Sequence, residues 1–366
     1  MTPQNDTPRL CFFAERQVGI GAAAGALEPY ARQHPALTWV DVTYTKENGF
    51  IEKLPLPPRV RGTMRGFLQT GSALRRGSFD GLIFLTHNPA VLRPWTLEQF
   101  PTVLWTDVTP RLLDAQAEQY DHPVSKSGLM GSLKHALVRR GFRRATLCVG
   151  WSDWARRSFV ADYGVADERT AVVAPGIDLA LWDSPAPRPS NGLPRLLFVG
   201  GDFQRKGGDL LLDVYRERLR GRCELDLVTR AAVAEESGVR VHRGLSAASD
   251  ELRELYRNAA ALVLPTRGDC FSIAALEAMA SGLPVVISAV GGIPEIVEQG
   301  ASGYALAPGD RQALGQAIEE LLSNEPRRRA MGARGRELVE QRFDARKTAA
   351  RLVELVTAAS RRGGRH

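Results

Sequence analysis

Apolar positions along this chain gather into short, nearly continuous runs, separated by stretches in which they recur every three or four residues. In the first half, "RLCFFAE" (9–15), "LTWVDVTY" (37–44), "DGLIFLTH" (80–87), "TVLWTDV" (102–108) and "ATLCVG" (145–150) are such runs, rich in β-branched and aromatic residues. They predict strands, and "GAAAGALEPYARQ" (21–33) predicts a helix between the first two. Runs that do not alternate with polar residues suit a parallel sheet covered on both faces. Near residue 183 the pattern breaks into "WDSPAPRPSNGLP", whose Pro, Ser, Asn and Gly content is that of a linker. It then restarts. "RLLFVGG", "CELDLVT", "ALVLPT" and "LPVVISA" predict strands, while "KGGDLLLDVYRERL" and "SIAALEAMASG" predict helices, the latter closing on Gly282 as a C-cap. Helical patterns dominate from Arg311 onward.

Two α/β domains follow from this restart, and 366 residues is long for one core. The expected boundaries are 1–185 for the first domain, 186–193 for the linker and 194–344 for the second. The C-terminal helix, 345–366, is expected to pack back onto the first domain. A cleft between two such domains is where ligands are expected, because open parallel sheets bind at the carboxyl ends of their strands. No apolar run approaches the ~18–20 residues needed to cross a bilayer. The polar start "MTPQNDTPRL" lacks the organisation of a signal peptide, so a cytoplasmic location is expected. The four cysteines (Cys11, Cys148, Cys223, Cys270) form no C-x-x-C pair, which argues for reduced, buried thiols over zinc or disulfide frameworks. A net charge of +7 asks for an anionic partner without choosing among nucleotide, nucleic acid and lipid.

Three glycine-rich or acidic stretches carry candidate chemistry. The first, "GIGAAAG" from Gly19 to Gly25, precedes Asp41 by about twenty residues, as in a dinucleotide fingerprint. Here "ERQV" intervenes after the strand and the third glycine comes one residue late. A turn whose bare backbone at Gly19 and Gly21 approaches a ligand held mainly by the other domain fits better. In the second, "FVGGDFQRKGGDLLL" (198–212), Gly200 and Gly201 turn the chain and Arg205 and Lys206 precede a helix beginning near Gly207. Cations beside a helix N-terminus make an anion site, because side-chain charge and unpaired N–H groups point the same way. The third, "GDCFSIAALEAMASGLPVV" (268–286), sets Asp269 in a turn and Glu277 within an apolar helix. Asp269 is also placed to be an N-cap. Glu277 needs a partner if ionised, and sugar hydroxyls donate well to carboxylates. "AVGGIPEIV" (289–297) supplies another strand–Gly-Gly–helix turn.

Taken in order, the "KG" turn, the acidic pair separated by seven residues, "LEAMASGLPVV" and "GGIPEIV" resemble the nucleotide-sugar half of retaining glycosyltransferases of family 4, the group 1 transferases. "APGID" (174–178) matches a further element of that family. The resemblance covers residues from about 145 to the end and is loose before that. It implies an α/β GT-B fold of two Rossmann-like domains with parallel sheets facing a central cleft, and an enzyme that moves a sugar with retention. The donor implied is a nucleotide diphosphate sugar, a UDP-sugar ahead of a GDP-sugar, and the acceptor is a hydroxyl on a glycan, lipid or small molecule. Lys206 matches the lysine on the donor diphosphate, and Glu277 matches the glutamate on the ribose hydroxyls. Asp269 occupies the position of a glutamate that contacts the transferred sugar and is shorter by one methylene, about 1.5 Å. The family's usual arginine falls on Gly201, so Arg205 becomes the candidate for its charge. The amides of Phe271, Ser272, Ile273 and Ala274 are expected to face sugar and phosphate. Where the family often has a histidine after a central strand, this chain has Thr106 and Asp107. His87 and Asp107 are the candidates from the first domain. With no D-x-D motif present, no metal and no cofactor are expected.

From Lys53 to Arg76 there are six basic residues and no acidic one, and Lys126 to Ser152 holds a second basic run around Arg139, Arg140, Arg143 and Arg144. Such segments suit an anionic membrane surface or a solvated face. Sparse aromatic interleaving argues against nucleic acid. Rival readings are a nicotinamide-dependent oxidoreductase, whose glycine placement is wrong here, and an isomerase or phosphorylase on the same fold. A non-enzymatic alternative is a sugar-nucleotide-binding or membrane-surface protein that has lost its chemistry, in keeping with Gly201, Thr106 and Asp269.

Overall fold

A computed structural model describes residues 7–363 apart from 17–18, 45–49, 56–57, 92, 121–128, 183–191 and 247–248. Most of the expected linker and the start of the second basic run lie outside these residues. The chain divides into two units. The first joins Met1–Asp114, Pro123–Gly176 and Ala345–His366, and the second joins Ala115–His122 with Ile177–Asp344.

The first unit is built on a six-stranded parallel sheet in the order β2-β1-β3-β4-β5-β6. Its strands are β1 (Leu10–Glu15), β2 (Leu37–Val42), β3 (Gly81–Leu85), β4 (Thr102–Thr106), β5 (Leu147–Gly150) and β6 (Thr170–Val172). Every residue of β1, β3 and β4 is buried, which is why these segments read as unbroken apolar runs. Phe13 stacks on Phe84 at 4.6 Å, and Phe142, Phe159 and Tyr163 extend the same core. The helix Ala345–Gly363 lies against β3 and against the helix Ile20–Arg32. Its close approach needs Gly81, where an added Cβ would stand 2.8 Å from Val356 Cγ2.

The second unit carries another parallel sheet, in the order β12-β11-β10-β7-β8-β9. These strands are β7 (Arg195–Val199), β8 (Glu224–Val228), β9 (Val239–His242), β10 (Ala261–Leu264), β11 (Val285–Ser288) and β12 (Gly303–Leu306). The strands β6, β9 and β12 are not called by the apolar pattern. All three are at sheet edges, where at most one residue of each strand is fully buried and the apolar run is lost.

Each strand order reverses direction once. In the first sheet the reversal lies between β1 and β3, and in the second between β7 and β10. At such a point the following segments diverge to opposite faces and leave a crevice at the carboxyl ends. Among the described residues no helix is long and apolar enough to cross a membrane.

Candidate functional site

At the reversal in the second sheet, three turns converge. After β7 the chain turns through Gly200 and Gly201 and enters the helix Gly208–Val214 with Gly207 as N-cap at φ 74°. A side chain is excluded at Gly207, because its Cβ would stand 2.0 Å from the carbonyl oxygen of Pro265 in the next turn. After β10, Thr266 Oγ1 donates to the carbonyls of Arg205 (3.2 Å) and Gly268 (3.1 Å), locking these two turns together. The third turn follows β11: Gly292 N donates to Cys270 O at 2.9 Å, and Gly291 at φ 56° leaves no room for a Cβ against Asp269 O.

This packing joins Lys206 and Asp269 in an ion pair, Nζ to Oδ2, with only 16% and 8% of their side chains exposed. Gly200 belongs to the same packing, since a Cβ there would meet Lys206 Cβ at 2.9 Å. Asp269 does not cap the following helix. Ser272 does, its hydroxyl accepting from Ala275 N at 3.3 Å, and the helix runs Ile273–Ala280, three residues later than a start at Cys270. Cys270 and Phe271 are buried and Ile273 and Ala274 partly so, with the amides of these last two in the first turn of the helix.

Glu277 is buried on that helix, and its partner within the protein is Tyr256, whose hydroxyl donates to Oε2 at 2.9 Å. Burial pushes the Glu277 carboxyl up to about 8, and the Tyr256 hydrogen bond offsets only part of this. The group is therefore largely protonated at neutral pH, not the ionised carboxylate that its apolar surroundings would otherwise have to hold.

Arg205 is turned into its own loop. Its guanidinium donates to Asp202 Oδ2 (3.1 Å) and Gly268 O (2.8 Å) and lies 4.4 Å from the ring centre of Tyr120. Tyr120 belongs to Ala115–His122, the short segment from the first half of the chain that clusters with this unit. Its hydroxyl is 3.4 Å from Cys270 Sγ, and Gln119 packs so closely on Gly268 that a Cβ there would meet it at 2.7 Å. The exposed cation over the first turn is Arg230, just beyond β8. Its Nε stands 3.1 Å from where a Gly201 side chain would begin. Arg230 has no hydrogen-bond or ion-pair partner among the described residues. It lines a cavity of about 530 Å³ with Gly201, Asp202, Phe203 and Gln204. Neither Arg230 nor Tyr120 was singled out by sequence reasoning; an arginine directly after an apolar strand was the available signal for the former.

The remaining candidates belong to the first unit. Gly19 caps the helix Ile20–Arg32 at φ 89°, and a Cβ added at Gly21 would meet the Arg16 backbone at 3.6 Å. Asp41, the acid of the dinucleotide alternative, is taken by Arg16 (2.6 Å) and Trp39 Nε1 (3.0 Å). His87 follows β3 and packs its ring on Phe142 at 5.4 Å. Burial and the nearby Lys134 lower its pKa to about 4, so the imidazole is neutral at physiological pH, and Nδ1 is buried without a hydrogen-bond partner among the described residues. Asp107 follows β4 and is half-buried beside Thr106, whose hydroxyl lies 3.4 Å from Oδ1. Among the described residues no group of three or more His, Cys, Asp and Glu is arranged to hold a metal ion.

Comparison with known proteins fits the second unit. The model of the family described as Glycosyl transferases group 1 matches residues 193–324, which span β7 to the end of the helix Arg311–Ser323. The chain carries a group 1 glycosyltransferase domain. It is 31% identical over 201 residues to D-inositol 3-phosphate glycosyltransferase 1 of Catenulispora acidiphila, covering 48% of each chain. It is 32% identical over 250 residues to glycogen synthase of Mycobacterium tuberculosis, covering 64% of this chain and 59% of that one. The chain thus spans about half the length of the curated relatives it matches. Among solved structures, sucrose-phosphate synthase from Thermosynechococcus elongatus matches with a TM-score of 0.76 at 17% identity, over 94% of this chain and 97% of that one. Anabaena HepE in complex with UDP matches at 0.71 and 16% identity, over 96% and 100%. These likenesses establish the GT-B fold for the two sheets described above.

Proposed function

We propose that this chain is a glycosyltransferase that moves a hexose-type sugar from a nucleotide diphosphate donor to a hydroxyl acceptor, with retention at the anomeric carbon and without a divalent ion. The observation that carries the reading is the Lys206–Asp269 pair across the reversal of the second sheet, with Glu277 on the helix that follows. That set lies inside the group 1 domain. Bond breaking leaves negative charge on the diphosphate, and a cation held in place beforehand stabilises it without reorganisation. Lys206 takes this role once the diphosphate displaces Asp269, and Arg230 supplies the second positive charge in place of the arginine absent at Gly201. Arg205, held by Asp202 and Gly268, shapes the turn. Asp269 then contacts the transferred sugar. Glu277 receives the ribose hydroxyls, whose donated hydrogen bonds favour its ionised form.

UDP-glucose is the first donor to test, since HepE, which shares the fold, is known in complex with UDP-glucose. A thermal-shift screen of UDP- and GDP-sugars, followed by nucleotide release with and without acceptor and with chelator, tests donor and metal independence together. The anomeric configuration of the product tests retention. Absence of both stabilisation and turnover across the panel would sink the reading.

The acceptor is a glycan, a lipid or a small polyol, and contact with an anionic membrane surface belongs to the same proposal. Its support is in the first unit. Trp95 is 70% and Leu133 62% exposed, on the helices Pro94–Gln99 and Leu129–Arg144, which pack on one another. Phe67 and Leu68 are exposed on Pro58–Arg76 among basic residues. Exposed aromatics interleaved with cations suit a headgroup interface. Co-sedimentation equal on anionic and neutral vesicles would count against it.

A further inference from the structure

The reversal in the first sheet holds a cluster of a different kind. Glu15, the last residue of β1, is fully buried. Its Oε1 accepts hydrogen bonds from Tyr44 Oη and from Thr86 Oγ1, each at 2.6 Å. Its Oε2 is buried and has no hydrogen-bond partner among the described residues. Thr86 follows β3, so the Thr86–Glu15 bond bridges the point where the strand order turns back, as the Lys206–Asp269 pair does in the second sheet.

Backbone conformation singles out the same three residues. Among the described residues, Tyr44 (φ 53°) and Thr86 (φ 75°) are the only non-glycines in the left-handed region. They are the two donors to Glu15. A β-branched residue with such a φ is an outlier, and strain of this kind persists where the surroundings over-determine it. The surroundings here are specific. Gly66 leaves room for the Tyr44 ring, Arg65 donates to Tyr44 O at 3.1 Å, and Thr86 N donates to Trp105 O at 2.8 Å. Two strained residues thus hold one oxygen of a buried carboxyl, while the other is unmatched among the described residues.

We propose that Glu15 Oε2 is the hydrogen-bond acceptor for a hydroxyl of a cyclic polyol bound at the carboxyl edge of the first sheet. The polyol is the sugar acceptor, and this identification rests on the glycosyl-transfer reading above. Tyr44 and Thr86 anchor Oε1 and leave Oε2 as the oxygen that can accept. The strand-end residues around the cluster, Arg16, His87 and Asp107, are partly buried. The terminal torsion of a glutamate is soft, so a small turn brings Oε2 to an entering hydroxyl. Burial pushes the Glu15 carboxyl up to about 7, the bonds from Thr86 and Tyr44 lower it, and the Asp107 charge adds a smaller rise. Arg16, the adjacent cation, is engaged by Asp41 and Glu28. A third hydrogen bond to the carboxylate favours its ionised form, so polyol binding lowers the Glu15 pKa and weakens as pH falls below about 7.

The test uses the full chain with 13C-carboxyl glutamate, the Glu15 resonance being assigned by Glu15→Gln. D-glucose, maltose and D-inositol 3-phosphate are titrated as probes. A saturable shift of the Glu15 carboxyl with at least one probe, and a lower apparent pKa in its presence, are expected. Glu15→Gln puts a donor where the hydroxyl needs an acceptor, and probe affinity falls roughly 10–100-fold. If no probe moves the resonance, or Glu15→Gln binds the probe as the wild type does, the inference is overturned. Because the wild-type titration needs no variant to fold, a structural role alone does not produce the expected shift. UDP binding and UDP release from UDP-glucose are measured in parallel. Failure there with the Glu15 shift intact removes the transferase reading and leaves the polyol site, whereas the converse removes the polyol site alone.

Discussion

The Lys206–Asp269 pair makes a prediction that runs against ordinary expectation for a ligand contact. A diphosphate that takes Lys206 has to displace Asp269 and then lie beside the carboxylate it displaced. Two unit charges about 4 Å apart interact by ~4 kcal/mol at an effective dielectric of about 20. Residual exposure of both side chains, 16% and 8%, screens that to roughly 1–3 kcal/mol. Asp269→Asn removes competitor and repulsion together, so UDP binding should tighten by roughly 5–100-fold while sugar transfer falls. Calorimetric titration with UDP and with uridine, at two salt concentrations, isolates the phosphate contribution, and uridine affinity should stay level. Lys206→Met should weaken UDP tenfold or more. Lys206→Ala should also destabilise the free protein toward the ~3–5 kcal/mol typical of a broken buried pair, because Asp269 is left alone. If Asp269→Asn weakens UDP binding or leaves it within a factor of two, the pair does not guard the phosphate site and the reasoning fails.

Arg230→Ala should lower UDP affinity about tenfold and flatten its salt dependence without touching uridine binding, as followed by the same calorimetry. Burial pushes the Glu277 carboxyl up to about 8 from the ordinary glutamate value of 4.5, so the folded state holds a proton that the unfolded chain has lost. Stability should therefore decline as pH rises from about 4.5 to about 8 and level off above that. Glu277→Gln should remove this slope in chemical denaturation, and a slope that persists would reassign it. Tyr256→Phe takes away the hydroxyl that donates to Glu277 and should cost ~1–3 kcal/mol in thermal unfolding and weaken donor binding. Gly207→Ala drives a Cβ into Pro265 O at a left-handed φ and should destabilise by ~2 kcal/mol or more; a neutral outcome would mean that the turn relaxes freely.

The two sheets were legible in the amino-acid pattern because their central strands are buried on both faces. "LCFFAE", "GLIFL" and "ALVL" carry that burial as unbroken apolar runs. The edge strands β6, β9 and β12 were not, since half-exposed segments lose the run. Lys206, Asp269 and Glu277 could be named from motif spacing alone. Their ionisation and partners could not. Glu277 is protonated because the helix buries it against Tyr256, twenty-one positions away. Arg205, the nearest cation in sequence, is consumed by its own turn, and the exposed cation comes from Arg230, just beyond β8.

The chain by itself determined which segments are the buried strands, where the glycines permit tight turns, and which side chains bring charge to strand ends. Those properties are local, since they depend on periodicity and residue type within a few positions. The tertiary structure decided which strand ends meet. The order β12-β11-β10-β7-β8-β9 sets β7 beside β10 and so couples Lys206 to Asp269 across sixty-three positions. In the first sheet, β1 beside β3 joins Glu15 to Thr86 across seventy-one. The same tertiary fold draws Ala115–His122 onto the second unit and buries Glu15 with one oxygen unmatched among the described residues. Strand order is a property of the whole packed sheet, and no short stretch of residues encodes which distant strand will lie beside it.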